Sequence, residues 1–422
     1  MSVALNTDRY ELTMVQAALA SGKAHQPCVF EVFARKLPAG RRFGVVAGTA
    51  RVLEAIENFR FTPDQLRFLE SNKIVNQETL TYLASLKFSG NVSGYREGEI
   101  YFGNSPILTV EASFAEAVLL ETVILSILNY DSAVASAAAR MRAAASNRFL
   151  AEMGSRRAHE SAAVSAARAA YLVGFDATSN LEAGMKYGIP TMGTSAHSFT
   201  LLYESEDAAF EAQLSALGSG TTLLVDTFDV ERAVRKAVEL TDGLVGAVRL
   251  DSGDLVQSAI EVRALLDSLG ANSTKITVTS DLDEFTIAAL AQAPVDSYGV
   301  GTSVVTGSGH PTAGFVYKLV SHLDQGEWVD VAKLSKNKTS RGGSKKASRL
   351  LDDGVATAEL IGHPTEGRQL QVEFIRAGKA LESDQKKLLQ DARQHHQKSL
   401  AELPRTALRL SAGEPAIPSE FA

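Results

Sequence analysis

Cysteine is nearly absent from this chain of 422 residues, which contains only Cys28. A single cysteine excludes an intramolecular disulfide and every zinc site built from several thiolates. The first residues also lack the basic segment and the apolar core of a secretory signal. These absences predict a protein of a reducing compartment, and we expect a cytoplasmic location.

Two further absences limit the partners that the chain can bind. The longest apolar run, residues 117–128, contains Glu121 and is shorter than the ~20 residues that a membrane-spanning helix needs. The 42 lysines and arginines are outnumbered by 49 aspartates and glutamates, so the formal net charge is −7. A net negative charge argues against sequence-independent binding of nucleic acid. We therefore predict neither a membrane nor a nucleic acid as partner.

The chain does contain enough apolar residues for a large core. Hydrophobic residues make up 45% of the sequence, and this length exceeds the size at which a single core stops growing. We predict an N-terminal α/β domain over residues 1–114 and a catalytic domain over 115–314. Residues 315–422, a C-terminal hairpin, basic loop and helix, are expected to complete the N-terminal domain.

Local signals predict several helices in the first part of the chain. A polar cap predicts a helix over residues 8–21, and Pro63 is typical of the first turn of another. An apolar stretch predicts a buried helix over residues 115–129. A second, alanine-rich helix is predicted over residues 132–151, with Asp131 as its N-cap.

The C-terminal part is predicted to return to antiparallel structure. Residues 315–322 and 328–334 are expected to pair as a hairpin. Residues 336–349 are rich in lysine and arginine and predict a mobile loop that is either solvated or in contact with phosphate.

From about residue 171 the chain repeats a short β-branched run, a polar cluster and an amphipathic helix. Strands joined by crossover helices run parallel, and repeats of about 20 to 30 residues favour a closed barrel over an open sheet. The predicted strands are residues 189–193, 221–225, 244–250, 275–279 and 295–300. The pattern therefore predicts an α/β barrel beside a smaller domain of helices and antiparallel strands.

Polar residues gather at the ends of these five predicted strands. They are, in chain order, Thr194 with His197, Asp226, Arg249 with Asp251, Asp281, and Gly301 with Thr302. In a barrel, the carboxyl ends of all strands lie on the face where active sites are built. An isolated histidine is usually structural, but five polar strand ends on one face predict that His197 belongs to an active site.

Several of these residues have more than one interpretation. Asp251 is predicted to hold Mg²⁺ or ribose hydroxyls, whereas Asp254 is predicted to cap the following helix. Arg249 has apolar neighbours, so we expect its planar guanidinium to bind a carboxylate or a phosphate. Residues 299–309 offer backbone N–H groups to a phosphate, although such glycine-rich runs also form turns.

The remaining candidates lie elsewhere in the sequence. Arg140 follows an alanine-rich helix, and Arg156 and Arg157 suit an anionic substrate, although many such pairs are merely exposed. No lysine lies at a strand end, which weakens a Schiff-base mechanism. His395 and His396 lie on a charged helix without a carboxylate cluster, so we predict no metal there.

Six motifs, taken together and in this order, resemble the nicotinate phosphoribosyltransferase family. They are TDRYELTM at 7–14, GSRRA at 154–158, GFDATSN at 174–180, GTSAHSF at 193–199, RLDSGD at 249–254 and YGVGT at 298–302. The resemblance implies a type II phosphoribosyltransferase, an α/β protein with an irregular TIM-like barrel and a smaller open-faced α/β sandwich domain. It also implies a homodimer whose subunits share their active sites. The chain departs from the family at Arg341, where a proline is expected before glycine, and it cannot form the C-terminal cysteine zinc site of some relatives.

The resemblance also implies roles for individual residues at the nicotinate site. Tyr10 corresponds to the tyrosine that stacks on the pyridine ring, in the site of the neighbouring subunit. Thr194 and Arg249 correspond to contacts with nicotinate, and Arg156 is a further candidate.

The phosphate-bearing substrates are implied to bind nearby. The candidates for phosphoribosyl diphosphate are Thr302, Gly301, Asp281 and Arg140. His197 corresponds to the histidine that ATP phosphorylates, and Asp226 and Asp251 are implied to line the site as catalytic residues or candidate Mg²⁺ ligands.

The implied reaction makes nicotinate mononucleotide and pyrophosphate from nicotinate and phosphoribosyl diphosphate, as the first step of NAD salvage from nicotinate. It is coupled to ATP hydrolysis and requires Mg²⁺. Three alternatives stay open: a nicotinamide or quinolinate phosphoribosyltransferase, a barrel enzyme of another class such as an isomerase, and a non-catalytic nicotinate-binding barrel.

Overall fold

The computed structural model describes residues 2–333 and 341–422. The chain divides into two compact units. The first consists of Met1–Ser136 with His310–Ala422, and the second consists of Ala137–Gly309. Helices and strands alternate in the second unit, and the first unit combines helices with mainly antiparallel sheets, so the predicted α/β class is confirmed.

Most helices begin at a polar residue whose side chain accepts a hydrogen bond from the first turn. The predicted helix start at Pro63 and the predicted cap at Asp254 are both confirmed. In chain order, the helices are α1 (Arg9–Ala20), α2 (Thr49–Glu57), α3 (Pro63–Ser71), α4 (Gln77–Ser85), α5 (Phe114–Val118), α6 (Glu121–Ala145), α7 (Glu160–Leu172), α8 (Leu181–Tyr187), α9 (His197–Thr200), α10 (Glu206–Leu217), α11 (Val230–Leu240), α12 (Leu255–Ser268), α13 (Glu284–Leu290), α14 (Thr302–Val305) and α15 (Gln385–Ala401). Short 3₁₀ helices form at Ser155–Arg157 and Arg405–Leu408.

The strands are mostly short and belong to four sheets. In chain order, they are β1 (Pro27–Ala34), β2 (Gly44–Val45), β3 (Asn91–Tyr95), β4 (Ile100–Tyr101), β5 (Leu108–Ser113), β6 (Phe149–Glu152), β7 (Ala177–Thr178), β8 (Thr222–Leu224), β9 (Ala247–Leu250), β10 (Lys275–Val278), β11 (Ser297–Val300), β12 (Phe315–Asp324), β13 (Glu327–Asp330), β14 (Lys346–Asp352), β15 (Val355–Gly362), β16 (Arg368–Gln369), β17 (Gln371–Arg376), β18 (Lys379–Ala380) and β19 (Ser419–Phe421).

The predicted helix break at Asp131 is wrong. Asp131 lies inside α6, which continues without interruption to Ala145. Its buried carboxylate accepts a hydrogen bond of 2.7 Å from Arg51, which is 80 positions away in the sequence. The end of the second predicted helix is also wrong, because residues 149–152 form β6.

Helix α6 belongs to the only stretch of the described residues that has the length and composition to cross a bilayer, Phe114–Ala145. Of the most apolar window in this stretch, 61% is buried inside the protein. Such burial is expected of a core helix, which needs apolar residues for the same reason as a membrane span does.

The first unit contains a seven-stranded sheet in the order β13-β12-β1-β5-β3-β17-β18, a four-stranded sheet in the order β16-β14-β15-β19, and the pair β2-β4. The predicted C-terminal hairpin is confirmed, since β12 and β13 pair antiparallel with Leu323 opposite Trp328. Strand β12 also pairs antiparallel with β1, so a segment from the last quarter of the chain lies beside an N-terminal strand.

The described end of the basic segment 336–349 differs from its prediction. Residues 334–340 lie outside the described residues, and the end of the segment enters β14. Arg349 is completely buried and pairs with Glu99 at 2.9 Å and Glu359 at 2.7 Å. The prediction of a solvated or phosphate-binding residue is therefore wrong for Arg349, because a buried guanidinium must be neutralised by buried carboxylates.

The histidine pair on α15 also meets groups that sequence analysis did not predict. The Nε2 atom of His395 lies 2.8 Å from a carboxylate oxygen of Glu99. His396 is buried with its Nδ1 atom 3.0 Å from the carbonyl oxygen of Gly98, and burial lowers its pKa to about 4. Both histidines therefore contact the turn between β3 and β4 in the first unit.

The second unit is built on a six-stranded parallel sheet in the order β7-β6-β11-β10-β9-β8. Four of the five predicted strands are confirmed as β8 to β11, and the helices α11, α12 and α13 follow three of them. The predicted strand at 189–193 is wrong, because only Thr191 forms an isolated parallel bridge, with Thr178. Strands β6 and β7 were not predicted. Since all six strands are parallel, their carboxyl ends share one edge.

Candidate active site

A pocket of about 200 Å³ lies at the carboxyl edge of the parallel sheet. It is lined by segments that follow β6, β9, β10 and β11. The predicted site residues among its lining are Arg156, Arg249, Asp251, Asp281, Gly301 and Thr302. Residues from distant parts of the sequence therefore meet where the strand directions place them.

Arg249 joins the ends of β9 and β10 to the loop that contains Thr194 and Ser195. Its Nε atom donates to Thr279 Oγ1 at 2.9 Å, and its Nη2 atom donates to Asp251 Oδ1 at 3.0 Å. Its Nη1 atom donates to Thr194 Oγ1 at 2.9 Å and to the carbonyl oxygen of Ser195 at 3.1 Å. A guanidinium has five N–H groups, so these four bonds leave one N–H on Nη2 for another acceptor.

Asp251 and Asp226 form an acidic pair beside this arginine. The backbone N–H of Asp251 donates to Asp226 Oδ2 at 2.7 Å, and the hydroxyl of Ser252 donates to the same oxygen at 2.8 Å. Burial opposes ionisation of Asp251, but hydrogen bonds from Thr279 and Arg249, with the positive charge of Arg249, hold its pKa below the usual value. Asp251 is therefore a carboxylate at neutral pH.

His197 begins α9 and faces both carboxylates. Its Nε2 atom lies 3.8 Å from Asp251 Oδ2 and 3.9 Å from Asp226 Oδ1. Its Nδ1 atom lies 3.1 Å from Thr227 Oγ1. The imidazole is 39% exposed, so one ring nitrogen is accessible to a substrate while the ring orientation is set by Thr227 and the acidic pair.

The backbone of the pocket is strained at Ser280. Its φ of 132° lies in a region that residues with a side chain rarely adopt. Ser280 lies between Thr279, which contacts Arg249, and Asp281, which lines the pocket. The strained backbone therefore lies between the two residues after β10 that belong to the site.

The structure does not bring every predicted residue to this pocket. Arg156 is exposed on the pocket wall, together with Arg157. Arg140 lies inside α6 with only 9% exposure, and its Nε atom donates to Glu284 Oε1 at 3.0 Å.

Tyr10 belongs to α1 of the first unit and is 48% exposed. Partial burial and the charges of nearby acidic residues, chiefly Glu121, raise the pKa of Tyr10 to about 12, so its phenol is neutral.

Two residues that organise the site were not predicted as members of it. Thr227 contacts His197, and Thr279 contacts both Arg249 and Asp251. Thr279 directly follows β10, and Thr227 lies three residues after the end of β8, so their position just past a strand was a usable signal. Their role depends on pairing between strands, which the local sequence does not contain.

The arrangement supports a defined chemistry. Arginines on the pocket wall attract anionic substrates, and an imidazole beside two carboxylates can accept a proton or a phosphoryl group. Glycines and a hydroxyl at the end of β11 complete the pocket on another side. A site of this composition suits the transfer of a phosphate-bearing group.

Two family models match the chain. The N-terminal domain of nicotinate phosphoribosyltransferase matches residues 5–129, and the nicotinate phosphoribosyltransferase family model matches residues 149–377. The chain is 52% identical over 432 residues to nicotinate phosphoribosyltransferase pncB1 of Mycobacterium tuberculosis, covering 98% of this chain and 94% of that protein. It is 38% identical over 363 residues to the nicotinate phosphoribosyltransferase of Bacillus subtilis, covering 83% and 74%.

Solved structures agree with the fold. Human nicotinic acid phosphoribosyltransferase superposes with a TM-score of 0.82 at 27% identity, over 98% of both chains. A structure from Pyrococcus furiosus, described as a nicotinate-nucleotide pyrophosphorylase, gives a TM-score of 0.76 at 22% identity, over 94% of this chain and 96% of that one. The second similarity concerns the fold alone.

Proposed function

The chain belongs to the nicotinate phosphoribosyltransferase family, and we propose that it couples the family reaction to ATP hydrolysis through His197. The reaction makes nicotinate mononucleotide and pyrophosphate from nicotinate and phosphoribosyl diphosphate, and it serves NAD salvage. The observation that carries the proposal is the group formed by Thr194, Arg249 and Asp251 beside His197. This group combines a cation that can bind a carboxylate, Arg249, with a phosphoryl acceptor, His197, at the carboxyl edge of the parallel sheet.

Nicotinate is proposed to bind through its carboxylate. The remaining Nη2 N–H of Arg249 and the exposed guanidinium of Arg156 are the cationic donors, and Thr194 is held against Arg249 at 2.9 Å. A charge-assisted hydrogen bond in a partly buried site favours a carboxylate over a neutral amide. Tyr10 of the neighbouring subunit is proposed to stack on the pyridine ring.

Phosphoribosyl diphosphate is proposed to bind beside nicotinate. The wall formed by Gly301 and Thr302 would hold its phosphates together with Arg157, and Asp281 would contact the ribose. In the transfer, the bond from the ribosyl carbon to the diphosphate oxygen breaks, and the electron pair leaves with the diphosphate. The pyridine nitrogen then forms the new bond to that carbon. The carboxylate of Asp251 is proposed to stabilise the positive charge that develops on the ribosyl group.

The acidic pair fits a Mg²⁺ ion. Asp226 Oδ1 is a buried oxygen without a hydrogen-bond partner in the described residues. Carboxylate oxygens are the ligands that Mg²⁺ prefers, often one or two together with substrate phosphates. Asp226 and Asp251 are the residues that would hold the ion. Bound there, Mg²⁺ would supply positive charge that offsets the repulsion between these carboxylates and a phosphate.

His197 is proposed to accept the γ-phosphoryl group of ATP. An unprotonated ring nitrogen attacks the γ-phosphorus, the bond to the β-phosphate oxygen breaks, and ADP leaves with the electron pair. The other ring nitrogen keeps its proton, which the acidic pair or Thr227 stabilises. Hydrolysis of the phosphohistidine drives turnover only if the two forms of the enzyme bind the substrates with different affinities.

A homodimer with shared active sites is proposed as the working form. Large apolar side chains are exposed on segments that follow the strand ends of the site: Leu181, Met185, Leu201, Leu202 and Phe228. Leu181 and Met185 lie one turn apart on α8, and Leu201 and Leu202 are adjacent in the sequence. Neighbouring apolar side chains that are exposed favour burial against another chain. Light scattering is expected to give twice the chain mass of 45.0 kDa, and a monomer at micromolar concentration would contradict the proposal.

A soluble, cytoplasmic location is also proposed. Cell fractionation checks it, since recovery of the activity in the membrane fraction would contradict the proposal.

A comparison of three pyridines tests the proposed reaction. With phosphoribosyl diphosphate, we expect kcat/KM for nicotinate to exceed the values for nicotinamide and quinolinate by at least about 100-fold, because a site that hydrogen-bonds one carboxylate rejects analogues that lack or crowd it. Mononucleotide and pyrophosphate are measured with and without ATP. Faster turnover of nicotinamide or quinolinate would favour the related transferases, and binding of nicotinate without any product would favour a non-catalytic barrel.

A further inference from the structure

A buried ion pair connects α6 to the first residue of α13. The Nε atom of Arg140 donates to Glu284 Oε1 at 3.0 Å, and the two side chains are 10% and 2% exposed. The guanidinium carbon of Arg140 also lies 5.8 Å from the ring centre of Phe285. Since buried charges are retained only when they are neutralised, the carboxylate of Glu284 stabilises Arg140 in this position.

The second carboxylate oxygen of Glu284 binds the C-terminal end of segment 301–308, whose first residues, Gly301 and Thr302, line the pocket. Glu284 Oε2 accepts a hydrogen bond of 2.5 Å from the hydroxyl of Ser308. Ser308 has a φ of 51°, and its backbone N–H donates to the carbonyl oxygen of Ser303 at 2.7 Å. The turn after α14 is thus closed on itself and tied to α13 by one carboxylate.

The other side of the same segment is bounded by Gly154. A methyl group on Gly154 would lie 2.3 Å from Val305 Cγ1 and 2.8 Å from the carbonyl oxygen of Gly301. The backbone that leads to Arg156 therefore packs directly on α14. The segment from Gly301 to Ser308 is held between this backbone and the Glu284 carboxylate.

We infer that Arg140 and Glu284 are positioning residues for the phosphoribosyl diphosphate site, and that they act through Ser308 without touching the substrate. The inference rests on the proposed function for the identity of the ligand. It replaces the direct contact that sequence resemblance implies for Arg140. The physical reason is geometric: Gly301 and Thr302, at the start of the segment held by Ser308, are among the described residues that line the pocket, whereas Arg140 pairs with Glu284 outside that lining.

Ser308→Ala removes the hydrogen bond from Ser308 to Glu284, which we call the tether, and leaves the buried ion pair of Arg140 and Glu284 intact. We expect KM for phosphoribosyl diphosphate to rise about tenfold, as a hydrogen bond to a charged group is lost. KM for nicotinate and kcat should change less than about twofold, since the ion pair and Arg249 stay in place. Glu284→Ala removes both carboxylate oxygens and, in a protein shown to be folded by thermal unfolding, should give the same split between KM values. Adding Ser308→Ala to Glu284→Ala should then have no further effect.

Ser268→Ala is the control, because the hydroxyl of Ser268 bonds to the carbonyl oxygen of Leu265 in its own helix α12, whereas the hydroxyl of Ser308 bonds to α13. Hydrogen exchange supplies a readout that does not depend on activity. In Ser308→Ala, amides of residues 301–308 should exchange at least about tenfold faster than in the wild type, while the strands of the parallel sheet stay unchanged.

Two results would overturn the inference: unchanged exchange in residues 301–308 of a folded Ser308→Ala protein, or equal increases in KM for nicotinate and phosphoribosyl diphosphate. A rise in KM for phosphoribosyl diphosphate in Arg140→Lys, without faster exchange, would instead indicate direct contact. If the wild type fails to use phosphoribosyl diphosphate, the proposed function fails, and the exchange experiment alone decides whether the tether exists.

Discussion

Replacement of His197 by alanine is expected to abolish transfer of label from γ-labelled ATP to the protein. Alanine has no ring nitrogen to attack the γ-phosphorus, while the neighbouring carboxylates and Arg249 keep their own contacts. The stimulation of mononucleotide synthesis by ATP should disappear with the label, and turnover that does not depend on ATP should remain measurable. The readouts are labelled protein after gel filtration and product formed with and without ATP.

The chemistry of the label distinguishes His197 from its acidic neighbours. A phosphorus–nitrogen bond is hydrolysed in acid and survives in base, whereas an acyl phosphate on Asp226 or Asp251 is cleaved in base. His159→Ala is the matched control, because His159 is an exposed histidine at the start of α7. Label on the His197→Ala protein, or unchanged stimulation by ATP, would show that another residue accepts the phosphoryl group.

Replacement of Arg249 by lysine is expected to lower kcat/KM for nicotinate by at least about 100-fold. Lysine keeps the positive charge but cannot reproduce the fork that reaches Thr279, Thr194 and Asp251 together. Hydrogen bonds to charged groups contribute about 1.5–3 kcal/mol each, and a tenfold change in rate corresponds to about 1.4 kcal/mol. Steady-state kinetics with varied nicotinate measure the effect.

An exposed arginine serves as the control for this substitution. Arg235 is 52% exposed on α11, where it pairs with Glu231, so Arg235→Lys should leave both KM values unchanged. Thermal unfolding checks that the Arg249→Lys protein is folded. A loss of less than about fivefold in kcat/KM for nicotinate would mean that charge alone, and not the geometry of the guanidinium, binds the carboxylate.

Local sequence signals predicted the helices well wherever the deciding contacts are local. Asp254 caps α12 by accepting a hydrogen bond of 3.1 Å from the backbone of Gln257, three residues away. Asp131 carries the same local signal, but its partner Arg51 comes from another helix, and α6 runs through it. The partner of Asp254 is a backbone N–H of its own helix, whereas the partner of Asp131 is a side chain from a distant segment.

For the candidate site, the sequence predicted the location but not the contacts between its side chains. The polar strand ends identified the edge at which the pocket lies, because parallel strands end on the same side. The contacts from Thr227 to His197 and from Thr279 to Arg249 each join residues 30 positions apart. Such pairs depend on strand order and register, which no single segment specifies.

The amino-acid sequence was sufficient to identify the family, several helices, four of the six strands of the parallel sheet, and the edge of that sheet where the pocket lies. These features follow from motifs, capping and periodicity along one segment. The tertiary structure decided which arginines face the pocket. Arg156 is exposed on its wall, whereas Arg349 is buried between Glu99 and Glu359. The reason is that a guanidinium stays in solvent unless carboxylates from distant segments offset the cost of burying it.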